Sequence, residues 1–375
     1  MRVMFDATAV PADRRGVGRY VDSLLPALDS GVDLVIVTQH DDREHYAALC
    51  PHAEIITAPP IIRRRPARLV WEQSGMAWLV RRHRPDLVHS PHYTRPLAMR
   101  LPSVVTLHDA TFFSHPEVHE RAKRVVFRGW SRLAPRIADR CITPSRATRD
   151  EIIRYTGADA SRFDVVHLGV DQTLFRTPTD EQVAAVRRRL GVDGPYIAFL
   201  GTIEPRKNIP ALIEAYVQVA RPDWCLVLGG GVGWGEDIDR LVAGLPDGVR
   251  VIRAGYLPAD ELAGFLGGAR IVAYPSLGEG FGLPVAEAMA CGSPVLTTRR
   301  LALPEVGGDA AYYVDTEARS IAAGLAALMA DDGLGRRLVD LGYAQAAKFT
   351  WAKAAEAHIA CYERAVASNA RVAGR

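Results

Sequence analysis

The sequence predicts an α/β protein made of two doubly wound domains. Its 375 residues, of which 48% are apolar, are too many for one ordinary domain and sufficient for two hydrophobic cores. Short β-rich runs alternate with helical patterns, which is typical of parallel sheets covered by helices on both faces. Because this alternation occurs twice along the chain, we expect two such sheets in series.

The first half of the chain contains six strand-like runs and several helical patterns. We assign residues 1–170 to a first domain on this basis. Helices are predicted at Arg68–Arg84, Glu117–Ala138 and Arg146–Tyr155. The predicted strands are Val3–Asp6, Asp33–Thr38, Asp86–Ser90, Ser103–His108, Cys141–Pro144 and Asp164–Leu168.

The second half repeats this scheme and ends in an amphipathic helix, Trp351–Ala367. A polar stretch and a turn between residues 169 and 195 mark the expected boundary, so the second predicted domain is 171–375. Its predicted strands are Tyr196–Gly201, Trp224–Leu228, Val249–Ala254, Ile271–Pro275, Pro294–Thr298 and Ala311–Val314.

Several features bear on the compartment. No apolar run reaches the ~18–20 residues of a membrane-spanning helix. The chain enters a strand-like run at once, without a signal-peptide pattern. The five cysteines are odd in number and contain no C-x-x-C pair, which favours reduced thiols over disulfides or zinc. We therefore expect a cytoplasmic protein.

A basic stripe is predicted on one helix of the first half. Residues 1–170 carry 25 Arg and Lys against 19 Asp and Glu, and residues 171–375 carry 21 against 24. Such a helix can lie on an anionic membrane, or it can be a core helix with a solvated outer face. Only four of the 46 basic residues are lysine, so arginine is abundant throughout and both interpretations stay open. The stripe consists of Arg121, Arg124, Arg128, Arg132, Arg136 and Arg140.

Two motifs of the first half follow predicted strands. Gly16 and Gly18, in Arg15-Gly-Val-Gly-Arg-Tyr20, lie where a helix begins and its amides can bind phosphate, although the third glycine of a dinucleotide fingerprint is missing. His108, followed by Asp109, can bond a sugar hydroxyl or stabilise developing charge. An ordinary turn and a structural His-Asp pair are the alternatives.

The loop from Gly201 to Asn208 joins a predicted strand to a helix and carries adjacent cations, Arg206 and Lys207. Two cations at a helix start favour a diphosphate site. The loop Gly229–Gly235 after the next strand also fails the dinucleotide spacing and is expected to be flexible. Asp237-Ile-Asp239 has the form of a metal-binding D-x-D, but acids at a helix start suit the helix dipole, and we predict no metal site.

The segment Glu279-Gly-Phe-Gly-Leu-Pro-Val-Ala-Glu287 places two carboxylates around a helix start. A strand is predicted to end just before it, and Pro284 is a favoured first helical residue. The backbone amides of Phe281, Gly282 and Leu283 would be available to donate. Carboxylates and amides at this place are suited to sugar hydroxyls, ribose and phosphate.

In this order, the motifs resemble those of the retaining glycosyltransferases of family four, the group 1 glycosyltransferases. That family adopts the GT-B fold, in which two Rossmann-like domains face each other across a cleft. The Glu-x₇-Glu segment with Phe-Gly inside it is specific, and the preceding Glu-Pro-Arg-Lys-Asn makes it more so. The matching pieces are Gly16–Tyr20, His108-Asp109, Ile142–Ser145, Gly201–Asn208, Glu279–Glu287 and Pro304–Val306.

The resemblance implies a role for each motif. The second domain would bind a nucleotide-sugar donor, with Lys207 and Arg206 at its diphosphate, Glu279 and the amides of residues 281–283 at its sugar, and Glu287 at its ribose. The acceptor would lie against the first domain, where His108 would reach the sugar and Gly16 the phosphates. The last helix would cross back to the first domain. Many relatives carry arginine where Thr202 stands, and Arg206 is a candidate substitute.

The same resemblance implies metal-independent, retaining transfer of a hexose without a cofactor, in bacterial polysaccharide biosynthesis. Within the family, the chain looks closest to the mannosyltransferase branch, which implies GDP-mannose as the donor. UDP-glucose, UDP-N-acetylglucosamine and a deoxysugar nucleotide are the donors left open. The acceptor would be a glycan, lipid-linked or small-molecule hydroxyl, with peripheral contact at the inner membrane face through the first domain. The alternative outside catalysis is a nucleotide-sugar-binding subunit of a glycan assembly complex. No nucleic-acid partner is expected.

Overall fold

The computed structural model describes residues 1–11, 14, 16–118, 120–231, 233, 235 and 237–373. The chain divides into two compact units. Unit 1 contains Met1–Gly169 together with Trp351–Arg375, and unit 2 contains Val170–Thr350. Each unit is built on one parallel sheet.

The sheet of unit 1 has seven parallel strands in the order β3-β2-β1-β4-β5-β6-β7. The order reverses between β1 and β4, and ligands of open α/β sheets bind beyond the carboxyl ends of the strands at such a point. The strands are β1 Arg2–Asp6, β2 Asp33–Thr38, β3 Glu54–Thr57, β4 Leu87–Ser90, β5 Ser103–Thr106, β6 Arg140–Thr143 and β7 Phe163–Val165.

In the described part of the chain, six α-helices are interspersed with these strands. They are α1 Val17–Asp29, α2 Arg43–Leu49, α3 Arg65–His83, α4 Thr111–Ser114, α5 Arg121–Ile137 and α6 Arg146–Thr156. The sequence prediction omitted β3. This strand is at the edge of the sheet and its side chains are exposed or half-buried, so it lacks the apolar run that identified the central strands.

The sheet of unit 2 has six parallel strands in the order β10-β9-β8-β11-β12-β13. Here the order reverses between β8 and β11. The strands are β8 Tyr196–Leu200, β9 Cys225–Gly229, β10 Val251–Gly255, β11 Ile271–Tyr274, β12 Val295–Thr298 and β13 Ala311–Val314. The helices are α7 Asp180–Leu190, α8 Ile209–Val219, α9 Ile238–Ala243, α10 Leu262–Gly267, α11 Leu283–Ala290, α12 Leu303–Gly307, α13 Ala318–Ala330 and α14 Asp332–Ala346.

The last helix, α15, extends over Trp351–Ala373 and belongs to unit 1. It packs against α1 and against β4, β5 and β6. Its apolar face includes Ala354, Cys361, Tyr362 and Ala365, which are all buried. The helix that follows unit 2 in the chain therefore completes the core of unit 1.

The predicted fold class is confirmed: the chain forms two α/β units with parallel sheets. None of the helices in the described part of the chain is both long and apolar enough to cross a membrane. The five cysteines are all buried as free thiols.

Candidate active site

The predicted donor-side motifs of unit 2 follow two neighbouring strands. β8 and β11 are paired in the sheet, with Ile271 opposite Ile197. The loop after β8 carries Arg206 and Lys207, which lie in a 3₁₀ helix, Pro205–Lys207. The loop after β11 carries Glu279. Because parallel strands end at the same edge, the two loops meet at the point where the strand order reverses.

A buried charged cluster forms where these loops meet. Oε1 of Glu279 accepts hydrogen bonds from Lys207 Nζ at 2.7 Å, Ser276 Oγ at 2.7 Å and the Tyr274 hydroxyl at 3.0 Å. Oε2 of Glu279 pairs with the guanidinium of Arg206. Lys207 also donates to the Tyr274 hydroxyl. We call Arg206, Lys207, Tyr274, Ser276 and Glu279 the Glu279 cluster.

The electrostatics of the cluster favour an ionised Glu279. Burial alone would raise the pKa of this carboxyl, but the charges of Arg206 and Lys207, with hydrogen bonds from Lys207 and Ser276, lower the pKa to about 2. Burial and the Arg206 guanidinium lower the pKa of the Lys207 ammonium, and Glu279 opposes them. Burial and the Glu279 charge hold the pKa of Tyr274 well above its ordinary value, so its hydroxyl stays protonated.

The two loops are joined by further hydrogen bonds around Arg206. Its guanidinium donates to the Gly278 carbonyl at 2.8 Å and to Glu204 at 2.7 Å. Its own carbonyl accepts from Ser276 Oγ at 2.9 Å and from the Leu277 amide at 2.8 Å. Both the side chain and the backbone of Arg206 therefore fix the loop that carries Glu279.

The glycine run after β9 packs on the turn that begins at Gly201. The Gly201 amide donates to the Gly229 carbonyl at 3.0 Å, and the Ile203 amide donates to the Gly231 carbonyl at 3.0 Å. Gly230 has φ +124°, and a Cβ there would lie 2.0 Å from the Gly201 carbonyl oxygen. Only glycine fits this approach. Val232 and Trp234 of the predicted flexible loop lie outside the described residues.

The start of α11 carries the remaining donor-side residues. Gly282 precedes the helix with φ +101°, which favours glycine, and Leu283 is the first helical residue. Phe281 is buried and packs edge-on against Phe349, with ring centroids 5.4 Å apart. Glu287 lies one turn into α11 and is 1% exposed. Its predicted contact with ribose stays a prediction.

His108 lies two residues after β5 of unit 1 and is held from several sides. Its Nε2 is 2.6 Å from the Pro91 carbonyl oxygen. The edge of the Tyr20 ring packs on it, with centroids 5.0 Å apart and planes at 79°. Burial lowers the pKa of His108. The neighbouring Asp109 accepts from the Thr111 amide at 3.0 Å, which fixes the turn that leads into the short helix α4.

Gly16 and Gly18 lie at the start of α1, as predicted. Gly16 precedes the helix with φ +53°, a conformation that favours glycine. Gly18 is buried in the first turn, where a Cβ would lie 3.0 Å from Cβ of Arg14. Arg15 of the motif lies outside the described residues. These contacts explain both glycines structurally, and phosphate binding stays a prediction.

The D-x-D segment is a helix start. Asp237 caps α9 by accepting from the Arg240 amide at 3.1 Å, and Asp239 pairs with Arg253. Among the described residues, no group of three or more His, Cys, Asp or Glu side chains is arranged to hold a metal ion.

The predicted arginine stripe is shorter than the sequence indicated. Arg140 was placed on the helix, but it lies in β6, where its Nε donates to Asp164 at 2.7 Å. Arg128 donates to the Phe112 carbonyl at 2.6 Å and is not simply solvated. Arg121, Arg132 and Arg136 are exposed on α5. The helix ends at Ile137, Ala138 is already extended, and β6 begins at Arg140.

Comparison with known proteins agrees with this geometry. The model of Glycosyltransferase Family 4 matches residues 14–174, and the model of Glycosyl transferases group 1 matches residues 183–345. The chain is 31% identical over 350 residues to D-inositol 3-phosphate glycosyltransferase of Streptomyces bingchenggensis, covering 82% of this chain and 73% of that protein. The chain belongs to the family 4, group 1 glycosyltransferases.

Two further comparisons concern relatives that match almost the whole chain. O-antigen chain mannosyltransferase B of Escherichia coli is 28% identical over 374 residues, covering 94% of this chain and 96% of that protein. The crystal structure of Anabaena HepE in complex with UDP and glucose is 21% identical, has a TM-score of 0.76, and covers 96% of this chain and 98% of that one. The fold of this glycosyltransferase is therefore GT-B.

Three residues of the site received no role from the sequence. Tyr274 and Ser276 lie just before Glu279, and both hydroxyls bond its carboxylate. Glu204 bonds Arg206. The only sequence signal was their place within conspicuous motifs of this glycosyltransferase family. Tyr274 and Ser276 also contact Lys207 and Arg206 of the other loop, and spacing along the chain did not reveal those contacts.

Proposed function

We propose that this protein is a retaining, metal-independent glycosyltransferase that moves a hexose from a nucleotide-diphosphate sugar to an acceptor hydroxyl. The observation that carries the proposal is the Glu279 cluster, in which a buried lysine and a half-buried arginine lie beside one buried carboxylate where the strand order of unit 2 reverses. Burying a cation costs free energy unless an anion or hydrogen-bond acceptor compensates its charge. A diphosphate is an anion that forms strong, charge-assisted hydrogen bonds with such cations.

In this mechanism, the bond between the anomeric carbon and the diphosphate oxygen breaks as the acceptor oxygen bonds to the same carbon, on the same face of the sugar. The acceptor proton passes to the departing diphosphate. Negative charge therefore grows on the diphosphate, and Arg206 and Lys207 are proposed to stabilise it. The chemistry requires neither a nucleophilic side chain nor a cofactor.

Further roles in the proposal follow the family resemblance. Glu279 and the amides of Phe281, Gly282 and Leu283 bind the sugar, and Glu287 binds the ribose. Gly201 lets the loop approach the donor. Arg206 takes the place of the arginine that many relatives carry at the position of Thr202. His108 contacts the transferred sugar, and Gly16 and Gly18 lie near the phosphates.

Our proposed donor is GDP-mannose, and the proposed setting is bacterial polysaccharide synthesis in the cytoplasm. The mannosyltransferase from the Escherichia coli O-antigen system, which matches nearly the full chain, supports this choice. UDP-glucose, UDP-N-acetylglucosamine and a deoxysugar nucleotide are the alternatives, since the HepE structure was solved with UDP and glucose. The acceptor is proposed to be a glycan, a lipid-linked sugar or a small molecule.

A donor panel tests the proposal. Purified protein is incubated with GDP-mannose, UDP-glucose, UDP-N-acetylglucosamine and deoxysugar nucleotides, and donor hydrolysis, transfer and melting temperature are measured. We expect GDP-mannose to raise the melting temperature and to be hydrolysed or transferred, with retained anomeric configuration in the product linkage. If nucleotide sugars bind but none reacts, the protein is a non-catalytic binding subunit. If no nucleotide or nucleotide sugar shifts the melting temperature, the donor site is wrong.

We also propose that α5 contacts an anionic membrane surface. Its exposed face combines Arg121, Arg132 and Arg136 with Val125, which is 69% exposed. Arginine beside apolar side chains on one helix face suits anionic headgroups. The corresponding location is the cytoplasm, peripheral to the inner face of the membrane.

Sedimentation with vesicles tests this contact. Full-length protein should bind vesicles of phosphatidylglycerol and phosphatidylethanolamine but not of phosphatidylcholine. Replacing Arg132 and Arg136 with glutamine should weaken binding several-fold, whereas the same change at Arg336 and Arg337, which are exposed on α14, should not. Equal loss in both double variants, or none in either, would show that α5 is only a solvated core helix.

A further inference from the structure

Unit 1 contains a buried network of neutral polar side chains that no step of the proposed function uses. It comprises Tyr20 on α1, His89 on β4, Thr106 at the end of β5, and His358 and Tyr362 on α15. Each of the five is at most 2% exposed. We call them the Tyr20 network.

The network is continuous from His358 to Tyr362, which lie one turn apart on α15. The Tyr20 hydroxyl lies 2.8 Å from His358 Nε2 and 3.2 Å from Thr106 Oγ1. His89 Nε2 lies 2.8 Å from Thr106 Oγ1, and His89 Nδ1 lies 2.7 Å from the Tyr362 hydroxyl. Helix α15 is thus bonded directly to α1 through Tyr20 and to β4 through His89, and Thr106 of β5 joins these two residues.

The chemistry of the partners assigns the protons. His358 Nδ1 lies 2.7 Å from the Ala354 carbonyl oxygen, which can only accept, so Nδ1 carries the proton. Burial lowers the pKa of His358 to about 4, so the ring is neutral and its Nε2 accepts from the Tyr20 hydroxyl. Tyr20 therefore has a single hydroxyl orientation, directed at α15.

Tyr20 also packs edge-to-face against His108, with ring centroids 5.0 Å apart, and is nearer to it than Tyr93 and His92, whose ring centroids are each 6.1 Å from that of His108. The Pro91 carbonyl fixes the proton of His108 on Nε2 in the same way, which leaves Nδ1 of the neutral ring as a hydrogen-bond acceptor. The Pro91 bond alone leaves the ring free to tilt about that contact. The Tyr20 ring removes this freedom on one side.

We propose that Tyr20 is a positioning residue for His108, and that His358 and Thr106 make it so by fixing its hydroxyl. Helix α15 would then be part of the catalytic apparatus of unit 1 and not only a cover for its core. This inference rests on the proposed function, which assigns His108 to the transferred sugar.

Tyr20→Phe tests the proposal because it keeps the ring and removes both hydrogen bonds. We expect kcat to fall about tenfold while KM for the nucleotide sugar stays within about twofold, since misplacing a group that acts on the sugar slows the transfer step. Tyr216→Phe is the matched control. It also removes a buried tyrosine hydrogen bond, to the Trp224 carbonyl at 2.9 Å in unit 2, and kcat should not change.

A double-mutant cycle separates positioning from a general structural effect. In a His108→Ala background, Tyr20→Phe should have almost no further effect on kcat, because Tyr20 acts through His108. Thr106→Val should lower kcat as Tyr20→Phe does, and Thr106→Ser should keep the wild-type kcat. This pair tests the proposal even if Tyr20→Phe folds poorly. Full activity of Tyr20→Phe, or losses that multiply with His108→Ala, would overturn the proposal.

Imidazole ¹⁵N NMR of the full chain gives a readout that needs no turnover. The wild type should show His108 and His358 as neutral rings protonated on Nε2 and Nδ1, respectively. In Tyr20→Phe the His108 signal should shift or broaden, and in Tyr216→Phe it should not. An unchanged His108 signal in Tyr20→Phe overturns the positioning role. An inactive wild type with the expected spectra instead identifies the proposed function as the error.

Discussion

The two polar centres of the molecule differ in charge and in exposure: the residues of the Tyr20 network are at most 2% exposed, whereas the Arg206 side chain of the Glu279 cluster is 20% exposed. The Tyr20 network of unit 1 links neutral imidazoles and hydroxyls, whereas the Glu279 cluster of unit 2 contains two cations and an ionised carboxylate. A neutral network needs no counter-ion, so its side chains can keep one hydrogen-bonded arrangement whether or not a ligand is bound. A charged cluster retains strong contacts that an anionic ligand can share or replace. In our proposal, unit 1 supplies rigid placement and unit 2 supplies the charge that binds the donor.

The largest expected effect comes from removing one cation of the Glu279 cluster. Lys207→Ala should lower kcat by about 10²–10³ with the fold intact, because the ammonium is proposed to stabilise charge on the departing diphosphate. Steady-state kinetics and circular dichroism measure both properties. Lys348→Ala, at an exposed lysine of unit 2, is the control. Turnover of Lys207→Ala near that of the wild type would refute the diphosphate role.

Removing the carboxylate tests whether the cluster is held together by charge. Glu279→Gln leaves the buried Lys207 ammonium without its carboxylate, whereas Arg206 keeps its ion pair with Glu204, and the free energy of unfolding should fall by about 3 kcal/mol. Chemical denaturation followed by fluorescence measures the change. Glu214→Gln, on the exposed side of α8, should leave stability unchanged. A loss below ~1 kcal/mol would mean that solvent replaces the carboxylate easily.

The neutral network predicts an acid-sensitive stability. The pKa of His358 is lowered to about 4 in the folded protein by burial, from an ordinary value near 6.5. The unfolded chain therefore binds the proton first, and stability that is complete above pH ~6.5 falls as the pH drops toward ~4, by at most about 3 kcal/mol. The groups that face this ring are Tyr20, His89, His108, Tyr362 and the Ala354 carbonyl.

Urea unfolding of the wild type and His358→Gln at pH 7.5 and 4.5 checks this expectation. The variant should lose less stability between the two values than the wild type does. His40→Gln, at an exposed histidine of unit 1, should keep the wild-type dependence. An identical acid response in all three proteins would contradict the assignment to His358.

The smallest expected effect is that of a chelator. Activity should survive EDTA, because we propose that cations of the protein and not a metal ion bind the diphosphate. Asp239→Ala should also keep its turnover, since Asp239 pairs with Arg253. Loss of activity with EDTA that manganese restores would revive the D-x-D segment as a metal site.

Much of the fold followed from the sequence because buried parallel strands consist of short apolar runs. The exception, β3, is an edge strand and has no such run. The helical wheel extended α5 too far because it counted Arg140 by spacing alone. Arg140 pairs with Asp164 on the neighbouring strand, and the residue spacing within one helix cannot predict such a contact.

The sequence also singled out the charged residues of unit 2 by residue type. Arg206, Lys207 and Glu279 lie in motifs that place adjacent cations and a carboxylate at helix starts. Such residues at these positions favour a binding site. Their direct contact depends on β8 and β11 being neighbours, which is a property of strand order. Tyr274 and Ser276 became part of the site only once that order was known.

The sequence by itself determined the two parallel sheets, the family and the charged residues at the loop after each central strand. These depend on short-range patterns of apolar, glycine and charged residues. Only the tertiary structure decided that Glu279 pairs with both cations, and that Tyr20 and His358, which are 338 residues apart, share a hydrogen bond. Partners of buried polar groups are selected by three-dimensional proximity, because desolvation makes each group require a partner without specifying where in the chain it lies.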